Sequence, residues 1–266
     1  MNSSKPIGIF DSGIGGLTVL KEIKHHLPDE NLVYFGDTAR VPYGIKSAGT
    51  VTRFSHEIAA YLVRKDIKML VVACNTASAS ALTSLREALT IPVVGVLMPG
   101  AYAATRATVT GRIGVIGTEG TVNSGAYARL IRNIRPDTLV FAKACPLFVP
   151  MVEEGRLQGP IAKLAAEEYL GPLKEEGIDT LVLGCTHYPL LKPVLAEVMG
   201  KAVTLIDSAH ETAQEVDRVL AKNGIRNAAG GAAGIIYYVT DAPERFKAVG
   251  ERFLGYDIPS VEKAEL

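Results

Sequence analysis

Short apolar runs alternate with stretches in which apolar residues recur every three or four positions, and the alternation holds from about residue 7 to about residue 255. The first run, Ile7-Gly8-Ile9-Phe10, ends at Asp11-Ser12-Gly13-Ile14-Gly15-Gly16, and Leu17, Leu20, Ile23 and Leu27 follow at helical spacing. This pattern predicts a strand, a glycine turn and a helix. Leu32 to Gly36 reads as a second strand and Asp37 to Gly44 as a polar loop. Phe54, Ile58, Tyr61 and Leu62 then mark one face of a helix. A third strand ends at Ala73-Cys74, a helix is expected over 78–89, and Val93 to Val96 reads as a fourth strand. Strands that are apolar on both faces and alternate with helices predict a parallel sheet covered on both sides.

The pattern then restarts. Arg112-Ile113-Gly114-Val115-Ile116-Gly117-Thr118 resembles the first strand and its exit, with Thr118-Glu119-Gly120-Thr121 in place of the glycine turn. Ser12 precedes Cys74 by 62 residues and Thr118 precedes Cys185 by 67, which predicts an internal duplication. Each copy has a hydroxyl-bearing turn after its first strand and a cysteine turn after a later one. Further on, Leu139 to Phe141 reads as a strand and Cys145 to Pro150 as a rigid apolar loop leading to Glu153 and Glu154. Pro160 suits the start of a helix running toward Glu176. A helix is expected from about Pro189, a strand over Val203 to Ile206, and a helix carrying Ala213, Val216, Val219 and Leu220. A strand over Ile235 to Val239 and a helix with Phe246, Val249 and Phe253 complete the pattern. The elements after Ile206 exceed what one copy needs. The expected architecture is therefore α/β, with two pseudo-symmetric doubly wound domains, mainly parallel sheets and a site in the cleft between them. Residues 1–97 plus 208–266 form the first domain and 98–207 the second, with crossings near Val96 to Pro99 and Ile206 to Ser208.

Lys plus Arg equals Asp plus Glu at 28 each, which removes any electrostatic argument for a nucleic-acid partner. No apolar run approaches the roughly 18 residues that a membrane span requires. Met1 to Pro6 leads into a strand without a signal-peptide core. Three cysteines, Cys74, Cys145 and Cys185, are too few for a disulfide framework and fit a reducing compartment. No close cysteine pair and no H-E-x-x-H pattern suggests a metal. The expectation is a cytoplasmic chain acting on a small molecule, away from membranes.

The glycine turn departs from a dinucleotide fingerprint, since Thr18 stands where the third glycine of G-x-G-x-x-G belongs, and the P-loop G-K-[ST] is absent. Glycines opening a helix still make a good anion nest for a carboxylate. Cys74 and Cys185 each close an apolar strand and precede a turn and a helix, where backbone N–H groups are expected to lower a thiol pKa from its free value of about 8.5. Cys145, beside Pro146 in an apolar loop, reads as structural. Two thiols on opposite sides of one small molecule suit inversion of a carbon bearing an acidic hydrogen, one sulfur taking the proton and the other returning one to the opposite face. Near-attack distances of about 3–3.5 Å place such sulfurs some 6–8 Å apart by doubling that value. A disulfide needs about 2 Å.

Asp11 to Leu17, Gly36 to Gly44, Cys74-Asn75-Thr76-Ala77-Ser78, Gly117 to Thr121 and Gly184-Cys185-Thr186-His187-Tyr188-Pro189 occur in that order. Together they resemble the bacterial glutamate racemases, within the cofactor-independent aspartate/glutamate racemases. Aspartate racemases typically carry His near Ser78 and Glu at the His187 position, so the resemblance favours the glutamate branch. Met151 stands where Leu is more usual. The resemblance implies racemisation of glutamate without pyridoxal phosphate, metal or other cofactor, supply of D-glutamate for peptidoglycan, and a homodimer. It implies that Cys74 deprotonates D-glutamate and Cys185 L-glutamate, assisted by Asp11 on the first side and by His187 and Glu153 on the second. It also implies that Ser12, Tyr43, Gly44, Asn75, Thr76, Thr118, Thr121 and Thr186 hold the substrate's ammonium and carboxylate groups, together with Asp11 and His187. A racemase for aspartate or a related amino acid, or a non-catalytic amino-acid-binding regulator, are the alternatives.

Overall fold

In the computed structural model, which describes residues 3–227 and 233–266, two sheets are built entirely from parallel pairings. The first part of the chain runs β1 (Ile7–Asp11), α1 (Leu17–His26), β2 (Leu32–Gly36), α2 (Ala48–Arg64), β3 (Met69–Val72), α3 (Asn75–Ala88), β4 (Val93–Gly95) and α4 (Leu97–Ala107). Next come β5 (Arg112–Gly117), α5 (Glu119–Asn123), α6 (Ala126–Ile134), β6 (Leu139–Ala144), α7 (Phe148–Glu153), α8 (Pro160–Glu175), β7 (Thr180–Gly184), α9 (Lys192–Met199) and β8 (Thr204–Asp207). The chain ends with α10 (Ser208–Lys222), β9 (Ile235–Val239), α11 (Pro243–Leu254) and the two-residue β10 (Glu262–Lys263).

The first sheet has the order β10-β9-β2-β1-β3-β4 and the second β6-β5-β7-β8. Leaving β9 and β10 aside, each sheet places its first strand between its second and third, the arrangement that opens a crevice beyond the carboxyl ends of the first and third strands. The strand interiors follow the expected two-sided burial: β1, β2, β3 and β7 are buried at every position. Alternation assigns their side chains. Phe10, Val33, Phe35, Leu70 and Val72 join α2 and α3 in one cluster. Ile7, Ile9, Tyr34, Met69 and Val71 join a larger core that continues through α1, α4 and α10 into the second sheet.

The duplication reaches single packing contacts. Gly8 in β1 and Gly114 in β5 each leave room for an isoleucine just before the third strand of their sheet. A Cβ on Gly8 would lie 2.8 Å from Ile67 Cδ1, and one on Gly114 would lie 2.5 Å from Ile178 Cδ1. The separation from Ile67 to Ile178 is 111 residues, the same as from Cys74 to Cys185.

Several local expectations change. α3 begins at Asn75 rather than near 78, with Cys74 at its N-cap position in an extended conformation. A 3-10 turn over Tyr188–Leu191 separates the Cys185 turn from α9. The stretch after Cys145 is not a loop throughout, since Phe148 to Glu153 close into the short helix α7. Both predicted crossing regions run straight into helices, α4 after β4 and α10 after β8. Asp207 caps α10 by accepting from the Ala209 N–H at 2.9 Å.

Gly114→Ala is expected to cost about 1–3 kcal/mol by overpacking, and adding Ile178→Val, which removes the obstructing Cδ1, is expected to recover part of that loss. Urea unfolding of the two single variants and the double variant measures the coupling. Strictly additive losses would contradict this packing.

Candidate active site

β1 delivers Asp11 to the crevice of the first sheet, fully buried. Its Oδ2 accepts from the Gly13 N–H at 2.9 Å and lies 3.5 Å from Ser12 Oγ, while Oδ1 accepts from Thr186 Oγ1 at 3.3 Å. The glycine turn is held from beneath by Tyr34, whose hydroxyl donates to the Gly13 carbonyl at 2.8 Å. Ser12 Oγ in turn takes the Cys74 thiol at 3.7 Å. A polar chain thus runs from the Cys74 sulfur through Ser12 and Asp11 to Thr186 beside Cys185.

On the other side, Cys185 Sγ lies 3.8 Å from His187 Nδ1, and His187 Nε2 lies 3.1 Å from Glu153 Oε1. The two half-sites meet through backbone. Thr18 Oγ1 donates to the Thr186 carbonyl at 3.0 Å. A Cβ on Gly15 would collide with Thr186 Oγ1 and come within 2.5 Å of His187 Nδ1, and one on Gly44 would sit 2.6 Å from Thr118 Cβ. Thr76, at the start of α3, closes a triangle of hydroxyls with Thr118 at 2.8 Å and Thr121 at 3.1 Å. Tyr127 donates to Asn75 Oδ1 at 2.8 Å, leaving the buried Asn75 Nδ2 without a partner among the described residues.

Cys74 and Cys185 line one cavity, together with Ser12, Tyr43, Gly44, Asn75, Thr76, Thr118, Thr186 and His187. Neither sulfur is in a disulfide. Three expected site residues stand behind this lining. Asp11 reaches it through Ser12 and Thr186, Thr121 through Thr76 and Thr118, and Glu153 through His187. Tyr43 and Gly44 line the cavity, but the Tyr43 hydroxyl donates to buried Asp37. Asp37, which nothing in its local sequence marks as a site residue, is a hub that also accepts from Arg40 Nε at 2.7 Å and Thr240 Oγ1 at 3.0 Å. Pro42, Val149 and Gly184 also line the cavity unforeseen. Pro42 and Gly184 lie within the motifs Gly36 to Gly44 and Gly184 to Pro189, whereas Val149 carries no polar signal.

The electrostatics of the two halves differ. Burial pushes the Cys74 thiol up to about 12, and the nearby Asp11 carboxylate adds to the rise. The Ala77 N–H at the helix terminus and the Ser12 hydroxyl pull the other way and do not overcome it. The expected lowering by N–H groups therefore exists at Cys74 but is outweighed by desolvation. Burial also raises Asp11, against the opposing effect of His187 and the turn's N–H groups. For His187 burial alone favours the neutral ring, but the hydrogen bonds to Cys185 and Glu153, with the Cys185 and Asp11 charges, bring it up to about 10. Glu153 is held below the ordinary carboxylate range, first by its hydrogen bond to His187. The cavity thus presents a protonated thiol from one sheet and, from the other, a sulfur beside an imidazolium.

A histidine whose folded pKa is raised above its unfolded value of about 6.5 contributes stability that is complete below that value and is lost as the pH rises through the folded pKa. The His187 contribution is therefore expected to disappear as the pH passes about 10. Nitrogen-15 NMR of the ring should show imidazolium at pH 8; a ring that titrates near 6.5 would contradict the coupling to Glu153 and Cys185.

Comparison with known proteins converges with this geometry. Residues 13–216 match the family model described as Asp/Glu/Hydantoin racemase. A glutamate racemase from Geobacter metallireducens is 56% identical over 262 residues, covering 98% of this chain and 97% of that one. The crystal structure of glutamate racemase from Francisella tularensis in complex with D-glutamate superposes with a TM-score of 0.93 at 39% identity, covering 99% of this chain and 98% of that one. That of a glutamate racemase isoform from Bacillus anthracis gives a TM-score of 0.95 at 42% identity, covering 100% and 99%. With matches of this extent on top of the paired cysteine turns, the chain belongs to the Asp/Glu/hydantoin racemase family and, within it, to the bacterial glutamate racemases.

Proposed function

We propose that this chain interconverts L- and D-glutamate by proton transfer at Cα between two cysteines, without a metal or an organic cofactor. The observation that carries the reading is the presence of Cys74 and Cys185, one from each sheet and both unbridged, in the lining of a single cavity. In the L-to-D direction, Cys185 as thiolate removes the Cα proton. The electron pair passes into the α-carboxylate, and the Cys74 thiol gives its proton to the opposite face. D-Glutamate leaves with the negative charge now on the Cys74 sulfur, and the return direction reverses both transfers. The elevated pKa of Cys74 suits the acid role, because the thiol keeps its proton until a carbanion forms beside it. The imidazolium of His187 suits the other side, where it balances charge on the Cys185 sulfur.

Asn75 Nδ2, buried and without a partner among the described residues, and the Thr76, Thr118 and Thr186 hydroxyls are donors for the two carboxylates. Asp11 and Ser12 serve the ammonium group and the Cys74 side. We assign the chain to two domains, 1–97 plus 208–266 and 98–207, with the substrate between them. We place the product, D-glutamate, in peptidoglycan synthesis in the cytoplasm, and expect the protein to work as a homodimer.

Cys74→Ser and Cys185→Ser are each expected to lower kcat for glutamate by roughly 10²–10⁴-fold, the range that a positioned acid or base contributes, with circular dichroism unchanged. Chiral chromatography of timed reactions measures the loss. Near-normal inversion by either single variant would remove the two-thiol mechanism.

A further inference from the structure

The Cys185 half-site is held from across the cleft by a helix that the mechanism above does not use. α11 packs against α1 in the layer of the first sheet, whereas Glu153 and His187 belong to the second. Three residues of α11 nevertheless converge on them. Arg252 Nη2 donates to the Glu153 carbonyl at 2.8 Å, satisfying a carbonyl at the end of α7. Arg245 Nη2 lies 3.7 Å from Glu153 Oε2, on the side of the carboxylate away from His187, and 3.7 Å from Glu154 Oε1. Phe253 sets its ring against His187, centroids 5.6 Å apart at 89°. Residues 245, 252 and 253 are spaced i, i+7 and i+8, so one face of one helix makes all three contacts. The chain after α7 is shaped to receive that face. Gly155 turns in the left-handed region at φ +72°, and a Cβ there would lie 3.0 Å from Arg252 Nη1.

We propose that Arg245 and Arg252 are positioning residues for the Cys185 side: they seat Glu153 so that its carboxylate aims at His187, which in turn faces the Cys185 sulfur. Phe253 limits the tilt of the same imidazole. The proton transfers at Cys185 then depend on a helix contributed by the opposite sheet's layer, while those at Cys74 do not. This inference rests on the racemase reading.

The test must separate a one-sided effect from a general loss. Enantiomers are equally stable in water, so kcat/KM for glutamate is the same in both directions for any variant and cannot report the side affected. Deuterium isotope effects with 2-deutero-L- and 2-deutero-D-glutamate can. If only the Cys185 step is slowed, breaking the C–D bond of L-glutamate becomes more rate-limiting, and the isotope effect on its kcat/KM rises. From D-glutamate the slow step becomes reprotonation by Cys185, and the substrate isotope effect falls. The double variant Arg245→Met with Arg252→Met, both positions exposed in the chain, is expected to lose roughly fivefold in kcat/KM, the scale of partly exposed ion pairs. Its two isotope effects should move in opposite directions. Arg245→Lys with Arg252→Lys should restore most of both, and Phe253→Leu should reproduce the asymmetry. A rate loss with both isotope effects unmoved, or an unchanged rate, overturns the inference while wild-type turnover leaves the racemase reading standing. A wild-type chain that does not invert glutamate overturns both.

Discussion

Two loops from different sheets can share one small cavity only where backbone replaces side chain at their contact. Gly15 meets Thr186 and His187, and Gly44 meets Thr118, at distances that no Cβ could occupy. The rest of the site follows from those approaches. Because the glycine turn lies directly against the Cys185 turn, Thr18 can bond the Thr186 carbonyl and Asp11 can bond the Thr186 hydroxyl. Because Gly44 lets Thr118 in, Thr76 can reach Thr118 and Thr121. The shared strand order of the two sheets aims both crevices at the same space, and the glycines let them close on it.

Closing the space sets its electrostatics. Desolvation is the largest influence on Cys74, Asp11 and His187 alike, and the outcome depends on what each group finds as a partner. Cys74 finds a carboxylate and keeps its proton. His187 finds a sulfur and a carboxylate and keeps its charge. Pseudo-symmetric scaffolds thus carry unlike electrostatics on their two sides. The asymmetry extends outward: the Cys74 chain runs inward through Ser12 and buried Asp11 to Thr186, whereas the Cys185 chain continues through His187 and Glu153 to Arg245 and Arg252 on α11.

Much of this was legible in the sequence because the signals were local. The strands are apolar on both faces, and the turns after β1, β3, β5 and β7 carry compact polar motifs that place eight of the eleven further site residues within a few positions of a strand end. What escaped was carried by contacts between distant parts of the chain. Asn75-Thr76-Ala77-Ser78 is rich in small polar residues that favour caps and turns over helix interiors, which hides the start of α3 at Asn75 from the local pattern. α7 lies among Pro146 and Pro150 and is too short to show a period. The bond from the Tyr43 hydroxyl to Asp37 and the grip of α11 on Glu153 join residues whose types fit many surroundings, so nothing in their local pattern distinguished them. Glu153, read as the end of a loop, proved to be the last residue of a helix held from the opposite layer.

The central claim, that a proton is removed on one face of Cα and another is returned on the opposite face, is tested most directly in D₂O. L-Glutamate incubated there with the protein and no added cofactor should yield D-glutamate carrying deuterium at Cα, while L-glutamate recovered at early times remains unlabelled. Deuterium accumulating in the recovered L-glutamate as fast as inversion proceeds, or D-glutamate that retains the original hydrogen, would contradict the two-thiol account.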